Sequence, residues 1–283
     1  MKPVEFYCPE TMNSRGTIMN LDRPMVMGVI NLNDDSFYKN SSITGDQAIL
    51  EKVKEMLLDG ADIIDLGAMS TRPGALEIPI ELEIERLTLA CGIIRSYSQE
   101  VKLSIDTYRV EVLRALESFN INMVNDIAGG QHGEAIWEWT GNYKIPYVLT
   151  HIKGMPDTMQ SLAVYDDVIK EILDYFIVKI PKLIKYGVYD IIIDPGIGFA
   201  KTIDQNFQIL QNLQVFRMLE FPILVGLSRK SLIWKSLNIS PEEALNGTTV
   251  LNMHALNKRA RILRVHDVKA AKETIILWEK LNE

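Results

Sequence analysis

Eight short apolar runs recur along the chain, at 25–31, 62–67, 101–107, 121–126, 146–151, 191–194, 221–227 and 261–266. Each is followed by a stretch of helical period, as at 45–60, where Ile49, Val53, Met56 and Leu57 share one face. Continuous apolar runs such as Ile191-Ile-Ile belong to strands covered on both faces, and strands alternating with helices form a parallel sheet. Eight such units in 283 residues predict an α/β fold, a single (β/α)8 TIM barrel. A doubly wound open sheet is the alternative. Residues 1–24 precede the first unit and contain a hairpin candidate centred on Gly16. No composition shift or Pro/Gly/Ser linker divides the rest. The expected organisation is an N-terminal hairpin segment at 1–24 and a barrel at 25–283, one domain overall.

The ends of the runs carry the chemistry. In order they present Asn31, Ser70-Thr71-Arg72, Asp106, Asn125, His151, Asp194, Ser228-Arg229-Lys230, and Arg264 with His266. Their amino ends show no comparable series. A parallel barrel gathers all eight carboxyl ends on one face, so residues far apart in the chain converge on one cleft. Any one of them alone reads more simply as a cap or a surface ion pair, and Asp194-Pro-Gly196 is a good turn in any protein. Eight in series is a different matter. Within strands, Ser104 shares a side with Asp106, and Arg264 with His266.

Asp106, Asn125, Asp194 and Lys230 together offer carboxylates, an amide and a cation. That set suits a flat heterocycle with donors and acceptors on its edge, such as a guanine-like pyrimidinone ring. Arg72, Arg229, Arg264 and His266 offer charge-assisted donors for carboxylate or phosphate oxygens. Ser231 lies where a helix can begin, and a helix start favours an anion. Gly196 to Thr202 lacks the spacing of a phosphate loop, and no serine sits in a nucleophile elbow. No His/Cys/carboxylate cluster has the spacing of a built-in metal cage, whereas a Mg²⁺ ion held mostly by substrate phosphates is compatible.

A net charge of −7 argues against a nucleic-acid surface, which needs a basic stripe. Cys8 and Cys91 make no disulfide framework. With no signal-like N-terminus and no apolar run of about 18 residues, the sequence predicts a cytoplasmic protein with no membrane partner.

The segments in order resemble those of the dihydropteroate synthases, a pterin-binding TIM-barrel family. The likeness runs from near Pro24 to the C-terminus, and the Arg15-Gly16 hairpin fits the segment before it. It is carried by Met27-Gly-Val-Ile-Asn31 with Asp35-Ser-Phe37, Asp62-Ile-Ile-Asp-Leu-Gly67, Ser70-Thr-Arg-Pro-Gly74 and Ser104-Ile-Asp106-Thr107. It continues through Val124-Asn125-Asp126-Ile127, His151-Ile-Lys-Gly154, Asp194-Pro-Gly-Ile-Gly-Phe199, Gly226-Leu-Ser-Arg229-Lys230-Ser231, Asn246-Gly-Thr-Thr249 and Arg264-Val-His266-Asp-Val268. Each segment is weak alone; their order and completeness are specific.

The resemblance implies a transferase of folate biosynthesis and a sulfonamide target. Its reaction condenses 7,8-dihydropterin-6-ylmethyl diphosphate with 4-aminobenzoate to dihydropteroate and pyrophosphate, through a pterin methylene cation. Carried onto this chain, Asp194, Asn125, Asp106, Lys230 and Phe199 would hold the pterin. Asn31, through Mg²⁺, would hold the diphosphate with Arg264 and His266. Thr71, Arg72, Pro73, Ser231 and Phe37 would form the aminobenzoate site. Asp106, Lys230, Arg264 and His266 would be catalytic, and a homodimer through the last helices is implied. The chain departs from the family at Leu32-Asn33-Asp34, at Lys39-Asn40-Ser41 and at Met69, on loops rather than at the pterin or phosphate residues. The alternatives are a methyltetrahydrofolate–corrinoid methyltransferase and a non-catalytic pterin-binding module.

Overall fold

The computed structural model describes residues 7–32, 43–69, 77–154 and 158–282. A hairpin of β1 (Thr11–Ser14) and β2 (Thr17–Asn20) comes first. Eight parallel strands follow: β3 (Met25–Asn31), β4 (Ile63–Gly67), β5 (Leu103–Asp106), β6 (Met123–Asp126), β7 (Tyr147–Thr150), β8 (Ile191–Asp194), β9 (Leu224–Gly226) and β10 (Ile262–Val265). They pair in the order β8-β7-β6-β5-β4-β3-β10-β9. Among the described residues a single parallel bridge, Ile193 with Ile223, joins the two ends of that order and closes the barrel. Closure rules out the open sheet.

Nine α-helices are described: α1 (Ile43–Leu58), α2 (Ile80–Tyr97), α3 (Val110–Ala115), α4 (Ala135–Tyr143), α5 (Val168–Lys185), α6 (Ile203–Gln211), α7 (Ser231–Leu237), α8 (Leu245–Asn257) and α9 (Val268–Asn282). Two expected elements differ. The helix read over 204–219 ends at Gln211 and continues as a 3-10 run, Leu213–Leu219. The strand read over 221–227 shrinks to three residues, because Pro222 has no N–H to give a ladder. A separate short helix, α7, ends where Asn238 turns left-handed at φ 55°.

Side chains alternate along each strand between the helix layer and the barrel interior. Val26, Ile64, Leu103, Val124, Ile193 and Leu263 point outward into the helix-packed core. Met25, Met27, Ile63, Met123, Val148, Ile192, Leu224 and Ile262 fill the interior, together with Met12, Met19 and Leu21 of the hairpin segment. The hairpin therefore plugs the amino-terminal end. Its turn uses left-handed Arg15 (φ 52°) and Gly16 (φ 87°), the conformation of a tight two-residue hairpin loop. Bonds that dock it on the barrel include Asn13 N to Asp190 Oδ1 at 2.9 Å, Ser14 Oγ to Asn122 O at 2.9 Å, Arg15 N to Lys144 O at 2.9 Å and Arg15 Nε to Ile121 O at 3.1 Å. Burying Met12, Met19 and Leu21 contributes roughly 1.5–3 kcal/mol each. With one end sealed by apolar side chains, the polar face is the other.

Candidate active site

Above the interior methionine layer the inward positions turn polar: Asp65 on β4, Asp106 on β5, Asn125 on β6, Asp194 on β8 and Arg264 on β10. Asp65, Asp106, Asn125 and Asp194 are buried. Arg264 is their hub. Its Nε donates to Asp65 Oδ2 at 2.7 Å and its Nη2 to Asp106 Oδ2 at 2.5 Å. Asn125 Nδ2 donates to the same Asp65 oxygen at 3.1 Å. Burial raises the pKa of Asp106, opposed by the Arg264 cation and reinforced by the Asp65 charge. Burial alone would lower that of Arg264, but the two flanking carboxylates carry it above its usual value, so it stays a cation.

Across the mouth, Asp194 ends β8 and accepts from Gly196 N at 2.7 Å through Oδ1. Its Oδ2 makes no hydrogen bond among the described residues. Burial raises Asp194, with Lys230 the main opposing influence. Lys230 Nζ donates to Ile197 O and lies 4.8 Å from the Phe199 ring centroid. Burial lowers Lys230 to about 8. Phe199 packs in an apolar cluster on the mouth with Met69, Tyr108, Ile127, Ile152 and Met159. The result is a slot whose edge carries carboxylates and an ammonium and whose side is an aromatic ring.

A second group lies beside the slot. Asn31 Nδ2 is 3.3 Å from His266 Nε2, and His266 Nδ1 is 3.2 Å from Ser228 Oγ. Asn31 ends β3, and His266 follows β10, so the barrel pairing of β3 with β10 brings them together. Asn31 Oδ1 has no partner among the described residues. Ser231 opens α7 and is exposed.

Asp106, Asn125, Asp194, Phe199, Lys230, Arg264, Asn31, His266 and Ser231 thus gather at the carboxyl end. Arg229 is a correction. Left-handed at φ 53°, it sends Nε and Nη2 to Asp267 at 2.9 Å each and Nη1 to Glu242 O at 2.6 Å. It braces a loop and offers the cleft nothing. Phe37, Thr71, Arg72, Pro73 and the Lys39 loop lie outside the described residues. Sequence reasoning missed Asp65, which sits between Ile64 and Leu66 in a strand; its parity with Ile63 was the available signal. It also passed over Lys201, whose buried amine holds the loop after β8.

The chain matches the family of pterin binding enzymes over residues 27–266. It is 41% identical over 253 residues to a dihydropteroate synthase of Synechocystis, covering 88% of this chain and 86% of that one. The structure of Xanthomonas albilineans dihydropteroate synthase with 4-aminobenzoic acid superposes with TM-score 0.88 at 32% identity, over 96% of this chain and 98% of that one. That of Yersinia pestis dihydropteroate synthase with a sulfonamide drug gives TM-score 0.87 at 33% identity, over 96% and 99%. These likenesses do not favour the corrinoid methyltransferase.

Proposed function

Because this chain belongs to the pterin-binding enzymes, and within them to the dihydropteroate synthases, we propose how its residues divide that reaction. The observation that carries the reading is the grouping of Asp194, with one carboxylate oxygen open, and Lys230, whose charge opposes the rise of the Asp194 pKa and whose amine lies beside the Phe199 ring. Asp194 Oδ2 accepts the N–H donors of the pterin's pyrimidinone edge, Lys230 donates to its ring acceptors, and Phe199 covers the ring. Asp106, buried against Arg264, stabilises positive charge on the methylene carbon.

The methylene C–O bond breaks with its electron pair leaving on pyrophosphate. The lone pair of the 4-aminobenzoate nitrogen then forms the new C–N bond, and that nitrogen releases a proton to solvent. Asn31, His266 and Arg264 hold the diphosphate, and Ser231 takes the aminobenzoate carboxylate with Thr71 and Arg72. Phe37 and Pro73, which lie outside the described residues, are assigned to the same aminobenzoate site on the family likeness alone. Catalysis of this kind rests on positioning and charge, which matches a site with no activated nucleophile.

Among the described residues no group of three or more His, Cys, Asp or Glu side chains is arranged to hold a metal ion. Asn31 supplies one amide oxygen, a donor set that fits Mg²⁺ carried mainly by substrate phosphates and water. Asn31 would hold such an ion, and when bound it would supply positive charge against the diphosphate. Exposed Val250, Ile276, Leu277 and Leu281 on α8 and α9 support a homodimer through the last helices. No helix among the described residues is long and apolar enough to cross a membrane. The free Cys8 and Cys91 support a reducing, cytoplasmic setting.

The test is pyrophosphate release from the pterin diphosphate with Mg²⁺, with and without 4-aminobenzoate. Aminobenzoate-dependent release with dihydropteroate formed is expected. Pterin binding with no dihydropteroate formed would overturn the reading and leave a binding module.

A further inference from the structure

Lys201 places an amine in the interior with no carboxylate in contact among the described residues; the residue is 4% exposed, and burial lowers its pKa well below the usual lysine value. Its Nζ has three close partners: Gly196 O and Phe199 O at 2.9 Å, and His151 Nδ1 at 3.0 Å. A fourth, His151 O, is at 3.3 Å. Charged or neutral, the amine carries at least the two N–H groups needed to donate to both carbonyls. His151 Nδ1 lies against the same amine, either ring tautomer leaving the contact in place. Burial, ahead of the neighbouring lysines, lowers the pKa of His151.

These partners lie on two segments. His151 follows β7, whereas Gly196 and Phe199 belong to the loop after β8. The backbones approach so closely that a Cβ on Gly196 would lie 2.0 Å from His151 O, at φ 72°. Gly196 is also the residue whose N–H fixes Asp194 Oδ1, and Phe199 carries the ring beside Lys230. We propose that Lys201, seated on His151, is the positioning residue of the pterin site, one amine setting both the Asp194 carboxylate and the Phe199 ring. The proposal rests on the pterin reading above. Lys201 touches no substrate; it acts through the Gly196 and Phe199 carbonyls.

The test compares wild type with Lys201→Met, which keeps the aliphatic stem and removes the donors. Amide hydrogen exchange at Gly196 and Gly198 in the free protein is expected to quicken in the variant. The KM for the pterin diphosphate is expected to rise about tenfold, one lost orienting contact, with the KM for 4-aminobenzoate unchanged. A merely structural loss would lower the active fraction, and so kcat, without moving the pterin KM. Unchanged exchange at the two glycines, or equal KM changes for both substrates, overturns the proposal. Wild type that binds no pterin would defeat the reading of the site, while the exchange comparison still decides the clamp. Should Lys201→Met not fold, His151→Ala removes one partner from the other side. It is expected to shift exchange and pterin KM in the same direction by a smaller factor, and no shift in either would overturn the proposal equally.

Discussion

Asp65 Oδ2 accepts from Arg264 Nε at 2.7 Å, and the same oxygen takes Asn125 Nδ2 at 3.1 Å. One fully buried carboxylate atom therefore orients a cation from the last strand and an amide from the sixth. Both of those groups face the cleft; Asp65 acts through them.

Asp65→Asn replaces a charged double acceptor with an amide and leaves Arg264 with Asp106 as its one carboxylate partner. We expect kcat/KM to fall about 100-fold, the scale of a small misplacement of reacting groups. Stability should drop by about 1–3 kcal/mol in urea titrations, as a buried charge-assisted bond is weakened. Wild-type kcat/KM in the variant would remove Asp65 from this role. Arg264 itself is better probed by Arg264→Lys than by alanine, which would strip two buried carboxylates of their cation at once.

Asp194→Asn keeps the volume and changes the hydrogen bonding. An amide places at most one acceptor where the carboxylate offers two, and adds a donor facing a donor. Pterin affinity should weaken roughly 10- to 100-fold, measured by calorimetry with an unphosphorylated pterin; pyrophosphate affinity should hold within about twofold. Unaltered pterin binding would place the ring elsewhere.

The pH dependence follows from the same groups. Lys230 makes a charge-assisted bond only while protonated, and burial lowers it to about 8. The kcat/KM for the pterin diphosphate should thus fall as pH rises through about 8. Asp194 offers both oxygens as acceptors only while ionised, and burial raises its pKa above the ordinary aspartate value. The acid limb should accordingly lie higher than for an exposed aspartate. Lys230→Arg, which stays charged, should abolish the alkaline limb; its persistence would assign that limb to another group.

Tyr147 links Trp137 and Asp126 inside the barrel wall. Trp137 Nε1 donates to Tyr147 OH at 2.9 Å, and that hydroxyl donates to Asp126. Tyr147→Phe leaves a buried indole N–H without its acceptor and a buried carboxylate with one donor fewer. A loss of about 1–3 kcal/mol in unfolding free energy is expected, with pterin KM unchanged. A neutral result would mean that the wall repacks around the missing oxygen.

Legibility in the sequence divided along a physical line. Asp106 and Asp194 stand where an apolar run breaks, so their place at the carboxyl face could be read directly, and Arg264 could be read from its parity with His266. Asp65 has apolar neighbours on both sides in sequence. Its inward aim becomes visible only once the sheet closes and parity is fixed from strand to strand. Arg229 misled because adjacency to Lys230 does not say which way a turn points, and a left-handed φ reverses it. Helix period ran over the break at Gln211, since a 3-10 run keeps nearly the same spacing of apolar side chains. The hairpin's turn was readable from Arg15-Gly16, but its service as a plug depends on a barrel end being there to fill.

The single bridge between Ile193 and Ile223 makes stiffness uneven around the ring of strands. Seven junctions are stitched by ladders; the eighth has one stitch. Asp194 stands on one side of that joint and Lys230 on the other, four residues beyond the strand end. On the proposed reading, a pterin gripped by both would span the weak joint like a rivet, making occupancy and mechanical closure of the hoop one event. Ligand binding should then tighten the barrel where its own backbone does so least, and the bound molecule counts as a load-sharing part of the wall.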